Sequence, residues 1–111
     1  MVQMMPLGDF EQIVLLAILR LGEGAYGLAI REEIAERTDR DPSPGALYTT
    51  LDRLEEKGLV RSRFGDPTPE RGGRAKRFFT VTARGLQSVV HAQRTYRQLL
   101  EGLQLPGLAY E

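Results

Sequence analysis

A mainly α-helical fold completed by one small β-hairpin is what this sequence predicts, and three observations predict it. Three stretches in the first half carry apolar residues at helical spacing, bounded by good helix-start and helix-stop residues. Two short stretches in the second half alternate apolar with basic or polar residues at the period of a strand. From residue 83 onward the apolar residues return to helical spacing.

The first helix is expected over about residues 10 to 21. Asp9 with Gln12 three residues on reads as a capping box, and Phe10, Ile13, Val14, Ala17 and Leu21 follow on one stripe. Leu15, Leu16, Ile18 and Leu19 make this helix apolar nearly all round, so it needs cover on more than one side, which a second subunit would supply. Gly22 and Gly24 stop it. A second helix is expected from Tyr26 to about Arg37, with Tyr26, Ile30 and Ile34 inward and Arg31, Glu32 and Glu36 facing water. Pro42 disfavours helix at Asp41 and breaks the chain there.

Ser43 followed by Pro44 is a strong helix start, because serine caps orphan amides and proline at the first helical position loses no hydrogen bond. The third helix is expected to run to about Lys57 on a stripe of Leu47, Leu51 and Leu54, with Gly58 at its stop. Its other face carries Gly45, Tyr48, Thr49, Asp52 and Arg53, a surface of small, hydroxyl-bearing and cationic groups suited to a groove. Strands are expected over Leu59 to Phe64 and Arg77 to Val81, paired as a hairpin around a cationic Gly/Pro-rich loop from Gly65 to Lys76. Thr82 caps the last helix. Its residues Leu86, Val89, Tyr96, Leu100 and Leu103 keep a three-four spacing if Gln93 fills the remaining seam position, as in a short helix-pairing seam. The tail from Gln104 is expected to fray.

Helix, helix, helix, hairpin is the order of a winged helix-turn-helix. The 111 residues hold one core and no more. Within it we expect a nucleic-acid-binding part over 1–82 and a dimerisation helix with its tail over 83–111. Cysteine is absent, which removes disulfides, thiolate metal sites and cysteine nucleophiles together and fits a reducing compartment. The longest apolar run, Ile13 to Leu19, is far short of a bilayer span, and no basic leader precedes it, so a cytoplasmic protein is expected. His91 is the lone histidine, so neither a metal nor another cofactor is called for. No Ser-His-Asp spacing, phosphate-binding glycine loop or carboxylate pair appears, and an enzyme is not expected.

The formal net charge of zero hides a segregation: residues 1–52 carry a net −5, residues 53–97 a net +7, and residues 98–111 a net −2. The positive half contains the end of the third helix, the hairpin and its loop. That is the pattern expected of a protein that meets a phosphate backbone.

The sequence resembles the PadR family of bacterial winged-helix repressors, and in particular its short members with a single C-terminal dimerisation helix. The resemblance rests on Tyr26-Gly27; on Gly45-Ala46-Leu47-Tyr48 with Leu51, Arg53, Leu54, Glu55 and Gly58-Leu59-Val60; and on Gly73-Arg74, Thr80-Val81-Thr82-Ala83 and Gly85. Phe78-Phe79 stands where the family usually has tyrosines, and Ala75 replaces a frequent proline. The resemblance implies a homodimer on duplex DNA, in which the third helix enters the major groove. Tyr48 and Thr49 are then expected at groove or phosphate, Arg53 at phosphate or guanine, and the amides from Ser43 through Gly45 to Ala46 at a phosphate. Arg71, Arg74, Lys76 and Arg77 are expected to reach the adjacent minor groove or its walls.

A two-fold dimer implies a pseudo-palindromic operator with half-sites about 10 base pairs, or a multiple, apart. The family also implies repression and, in some members, release by a small aromatic or drug-like effector in the dimer interface, for which Phe10, Leu16 and Tyr96 are the expected walls. Phe10, Leu16, Leu86, Val89, Gln93, Tyr96, Leu100 and Leu103 form the expected dimer surface. The alternative reading of the same fold is a protein-interaction module whose wing never meets DNA. It would present an apolar or mixed third-helix face and a short wing, whereas here both are polar to basic.

Overall fold

The computed structural model describes residues 6–66 and 75–107. Its elements are α1 (Asp9–Leu21), α2 (Gly27–Arg37), α3 (Pro44–Glu56), β1 (Val60–Phe64), β2 (Arg77–Val81) and α4 (Ala83–Leu100), with a single 3-10 turn over Gly22–Gly24. The order is the one the periodicities predict, with ends that agree to within a residue or two except at α4. That helix stops at Leu100, so that Leu103, expected on it, lies beyond it after the positive-φ Gly102.

Helix α1 starts at Asp9, the residue expected to cap it. Gly8 is the capping position, and the Gly8 N–H donates to Glu11 Oε1 at 2.8 Å, so Glu11 serves the helix start where the Asp9–Gln12 pair was expected to. The same Glu11 side chain accepts from Lys57 Nζ at 2.8 Å although the residue is only 6% exposed, which ties the first turn of α1 to the end of α3. Helix α2 begins at Gly27 because Tyr26 is extended and forms an antiparallel bridge with Phe78 of β2. Arg31 does not face water as expected: it donates through Nε to the Pro42 carbonyl at 2.8 Å and pins the turn between α2 and α3.

The start of α3 is as expected, with Ser43 Oγ accepting from the Ala46 N–H at 3.1 Å and Pro44 at the first helical position. Its end is a full glycine stop. Gly58 has φ +76°, its N–H donates to the Glu55 carbonyl, and the Leu59 N–H reaches back to the Leu54 carbonyl at 2.9 Å, with both leucines buried. Leu59, expected as the first strand residue, therefore belongs to the stop, and β1 begins at Val60.

β1 and β2 pair antiparallel in the register Val60↔Val81, Ser62↔Phe79 and Phe64↔Arg77. Val14, Leu15 and Ile18 of α1, Ile30 and Ile34 of α2, Leu47, Leu51 and Leu54 of α3, and Phe79 of β2 close a single core. Phe79 is buried almost completely, so phenylalanine at this position leaves no hydroxyl in need of a partner.

The wing returns to α4 through Thr82, whose hydroxyl accepts from the Gly85 N–H at 3.0 Å and donates to the Gly58 carbonyl at 2.8 Å. Helix α4 then runs for 18 residues, about 27 Å at helical rise. It projects: the radius of gyration is 16.0 Å, against about 13 Å for a compact chain of this length. Among the described residues, no helix is long and apolar enough to cross a membrane.

Candidate nucleic-acid interface

The face of α3 turned away from the core carries Gly45, Thr49 and Arg53 one turn apart, all exposed. Leu47, Thr50, Leu51 and Leu54 take the buried side of the same helix, so the leucine stripe itself aims this row outward. Neither the Thr49 hydroxyl nor the Arg53 guanidinium is held by a side-chain hydrogen bond or ion pair among the described residues. A Cβ on Gly45 would meet nothing within 4 Å, so packing inside the protein does not require a glycine there. At the helix start the Ala46 N–H is taken by Ser43 and Pro44 has none, which leaves the Gly45 amide as the donor in this turn.

Tyr48 is half exposed, but its phenol lies over the Cα of Gly27 at the start of α2. Next to that glycine, the Tyr26 ring packs edge-on against Phe78, with centroids 5.7 Å apart, and Lys76 Nζ stands 4.2 Å above it. The dipeptide Tyr26-Gly27 thus brings Tyr48 of α3 and Lys76 of the wing to one place, a juxtaposition that spacing alone does not reveal.

Arg77 is engaged within the protein. It lies half-buried over the Phe79 ring, 4.8 Å from the centroid, and its guanidinium meets Glu55 Oε1 at 2.5 Å and Asp52 Oδ1 at 3.3 Å, both on α3. Its charge is answered within the protein. The Ser62 hydroxyl and amide donate to the other oxygen of Glu55 at 2.7 and 3.1 Å. These bonds outweigh the opposing effect of burial, and with the positive charge of Arg77 they hold the Glu55 carboxyl below its usual range.

Arg71 and Arg74 lie outside the described residues. Two cationic residues that sequence reasoning left out stand on β1: Arg61 and Arg63 are exposed on the strand face opposite Val60 and Ser62, with Arg63 over Phe78 at 4.8 Å. The alternation of basic and apolar residues from 59 to 64 was the signal for them. The same alternation that marks a strand also marks its charged face.

Among the residues expected at a dimer seam, Val89 is only 5% exposed and belongs to the core of the single chain, because the first half of α4 lies along α1. Phe10 is likewise partly buried against that core. Leu86, Gln93, Tyr96, Leu100 and Leu103 are exposed, as are Val90, Leu99 and, on α1, Leu16. A groove of about 120 Å³ opens between α1 and α2, floored by Ile13, Leu16, Ala17 and Ile34 and rimmed by Arg20, Glu33 and Arg37. It includes Leu16 of the expected effector walls and neither Phe10 nor Tyr96.

The family model described as "Transcriptional regulator PadR-like family" matches residues 15–90. An uncharacterised protein of Lysinibacillus sphaericus is 31% identical over 80 residues, which cover 70% of this chain and 69% of that protein. A PadR family transcription regulator from Clostridium difficile R20291 has a similar crystal structure, with a TM-score of 0.68 at 22% identity, covering 84% of this chain and 93% of that one. F93 from STIV, a winged-helix DNA-binding protein, has a TM-score of 0.65 at 22% identity, covering 84% and 92%. These structures speak for the fold, and the family model reaches from the middle of α1 through the wing into α4. The chain belongs to the PadR-like family of transcriptional regulators, winged-helix proteins that bind DNA and are not enzymes.

Proposed function

We propose that this protein is a sequence-specific repressor that binds a pseudo-palindromic operator as a homodimer. The observation that carries the proposal is the exposed row of Gly45, Thr49 and Arg53 on α3. Glycine is a poorer helix former than alanine, and nothing inside the protein needs the space at Gly45. Close approach of a sugar-phosphate backbone accounts for it. Thr49 and Arg53 then face base edges and phosphates, and the Gly45 amide supplies a phosphate contact at the helix start. Lys76 with Arg71 and Arg74 adds charge from the wing.

Dimerisation through α4 is supported by Leu86, Tyr96 and Leu100, a row of large apolar side chains on this helix that the single chain leaves exposed. One winged-helix module buries modest surface on DNA, and two copies supply both affinity and operator symmetry. An effector lodged where α1 and α4 of the two copies meet would alter the spacing of the recognition helices, with Leu16 and Tyr96 as walls. A thermal-shift screen of aromatic compounds tests that part, and no binder of any class counts against it.

Selection of bound sites from a random duplex pool tests the whole reading. We expect an inverted repeat with half-sites about 10 base pairs or a multiple apart. If each subunit neutralises about four phosphates, the slope of log affinity against log salt is roughly −7. Binding without sequence enrichment, or a slope near zero, overturns the proposal. Repression is read separately, as lower transcription from a promoter that contains the selected site.

A further inference from the structure

We infer that Arg77 is a positioning residue that locks the wing onto the recognition helix through Glu55 and Asp52, rather than a DNA contact. The inference rests on the DNA-binding reading of α3 and the wing. Glu55 is the centre of the arrangement. One of its oxygens takes both the hydroxyl and the amide of Ser62 from β1, and the other takes Arg77 from β2. A single carboxylate on α3 therefore holds both strands of the wing. Asp52, one turn earlier on α3, takes the second nitrogen of Arg77 at 3.3 Å. The Phe79 ring, fixed in the core, lies beneath the guanidinium and limits where it can go.

The geometry has a physical rationale. The β1–β2 hairpin has only two strands, and such hairpins are marginal in water without packing on a third element. Val60, Phe79 and Val81 anchor the half of the wing next to the core, but Phe64 at its far end is exposed. Beyond the core the Glu55–Ser62 and Glu55–Arg77 bonds hold the hairpin at a set angle to α3. These are charge-assisted bonds, and arginine is the side chain whose planar fork can serve two carboxylates at once. An arginine neutralised by two carboxylates contributes little to phosphate neutralisation. Its effect on DNA is to place Lys76 and the rest of the wing where the recognition helix has already docked.

The test compares the full-length protein with Arg77→Met, which keeps an apolar stem over Phe79 and removes the charge, and with Arg77→Lys. Affinity for the selected operator is measured across a salt series, and amide exchange of the free protein is followed across the wing strands. For Arg77→Met we expect affinity to fall roughly tenfold, about what one lost charge-assisted hydrogen bond is worth. The salt slope stays at its wild-type value, and exchange accelerates in β1 and β2 while α1 and α2 stay protected. Arg77→Lys, with one point charge for two carboxylates, falls between. Glu55→Gln combined with Arg77→Met costs less than the product of the two single effects.

A salt slope shallower by about 2 for the dimer, one phosphate lost per subunit, overturns the inference and restores Arg77 as a DNA contact. Unchanged exchange in the strands also overturns it, and that measurement needs no DNA. A wild-type protein that binds no duplex while Arg77→Met still loosens the strands would sink the DNA reading, and the DNA-placing role of Arg77 with it, through a different result from the one that sinks the clamp.

Discussion

The phenol of Tyr48 rests on the Cα of Gly27, so closely that a Cβ on this glycine would lie 2.6 Å from Tyr48 Cζ and overlap the hydroxyl. The missing methyl group of Gly27 therefore lets the Tyr48 ring of α3 lie directly on the start of α2. Gly27→Ala is expected to push Tyr48 toward solvent. Because Tyr48 is already half exposed and can swing out, the stability cost should be at the low end for overpacking, about 1 kcal/mol. The measurement is a denaturation series on Gly27→Ala, Tyr48→Ala and the double variant. Alanine at 48 should remove most of the cost of alanine at 27, and strict additivity would contradict the contact.

Gly45 is the opposite case. Alanine there meets no neighbour, so Gly45→Ala should leave the melting temperature unchanged or slightly raised. Operator affinity should fall about tenfold, because the added methyl stands between the helix start and the DNA backbone. Calorimetry and a gel-shift titration on the same sample separate the two effects. Loss of stability without loss of affinity would count against a DNA-facing Gly45.

Gly85 is needed for α4 to pack against the turn that ends α3. A Cβ at this position would overlap the Leu59 carbonyl and lie 2.8 Å from Val81 Cγ1, and backbone cannot yield as a side chain can. Gly85→Ala should cost about 3 kcal/mol, the upper end for overpacking, as read from urea denaturation. Since Thr82 and Gly85 join α4 to the Gly58–Leu59 turn that ends α3, the same variant should weaken dimer binding to the operator beyond its effect on folding.

Two residues a short way apart on α4 should behave differently. Val89→Ala opens a cavity in the core of the single chain and should lower stability by about 1–2 kcal/mol. Tyr96→Asp touches no core, since Tyr96 is 55% exposed, and should leave the fold intact while shifting the protein from dimer to monomer in sedimentation. A Tyr96→Asp protein that sediments as a dimer would remove α4 from the proposed interface.

Acid should loosen the junction of α1 with α3. Burial pushes the Glu11 carboxyl upward, but the hydrogen bond from Lys57, the Gly8 amide and the charges of Lys57 and Arg53 together bring it below its ordinary value of 4.5. A carboxyl whose folded pKa lies below the unfolded one stabilises the fold at pH above the unfolded value, and that stabilisation is lost as pH falls through the folded value. Stability should therefore decline as pH drops below about 4.5, with Glu55 contributing in the same direction. Glu11→Gln should be less stable at neutral pH and should flatten that part of the curve. An unchanged acid limb in chemical denaturation would contradict the pairing.

Much of this molecule was legible in local sequence. Ser43-Pro44 set the start of α3, Gly58 its end, and Thr82 the start of α4, because caps and stops act within a turn of the residues that make them. The leucines at 47, 51 and 54 determined which face of α3 is exposed, so the row of Gly45, Thr49 and Arg53 followed from spacing alone. What tertiary structure decided is the partner of each long or bulky side chain. Arg77 reads as one more basic residue of the wing until Asp52 and Glu55, more than twenty positions earlier, are brought within reach of it. Val89 reads as a seam residue until α1 covers it, and nothing local in the sequence reveals that the Tyr48 ring rests on Gly27. Local signals fix backbone conformation because their interactions close within a few residues. The neighbour of a side chain several bonds long is set by which distant helix or strand the core brings beside it.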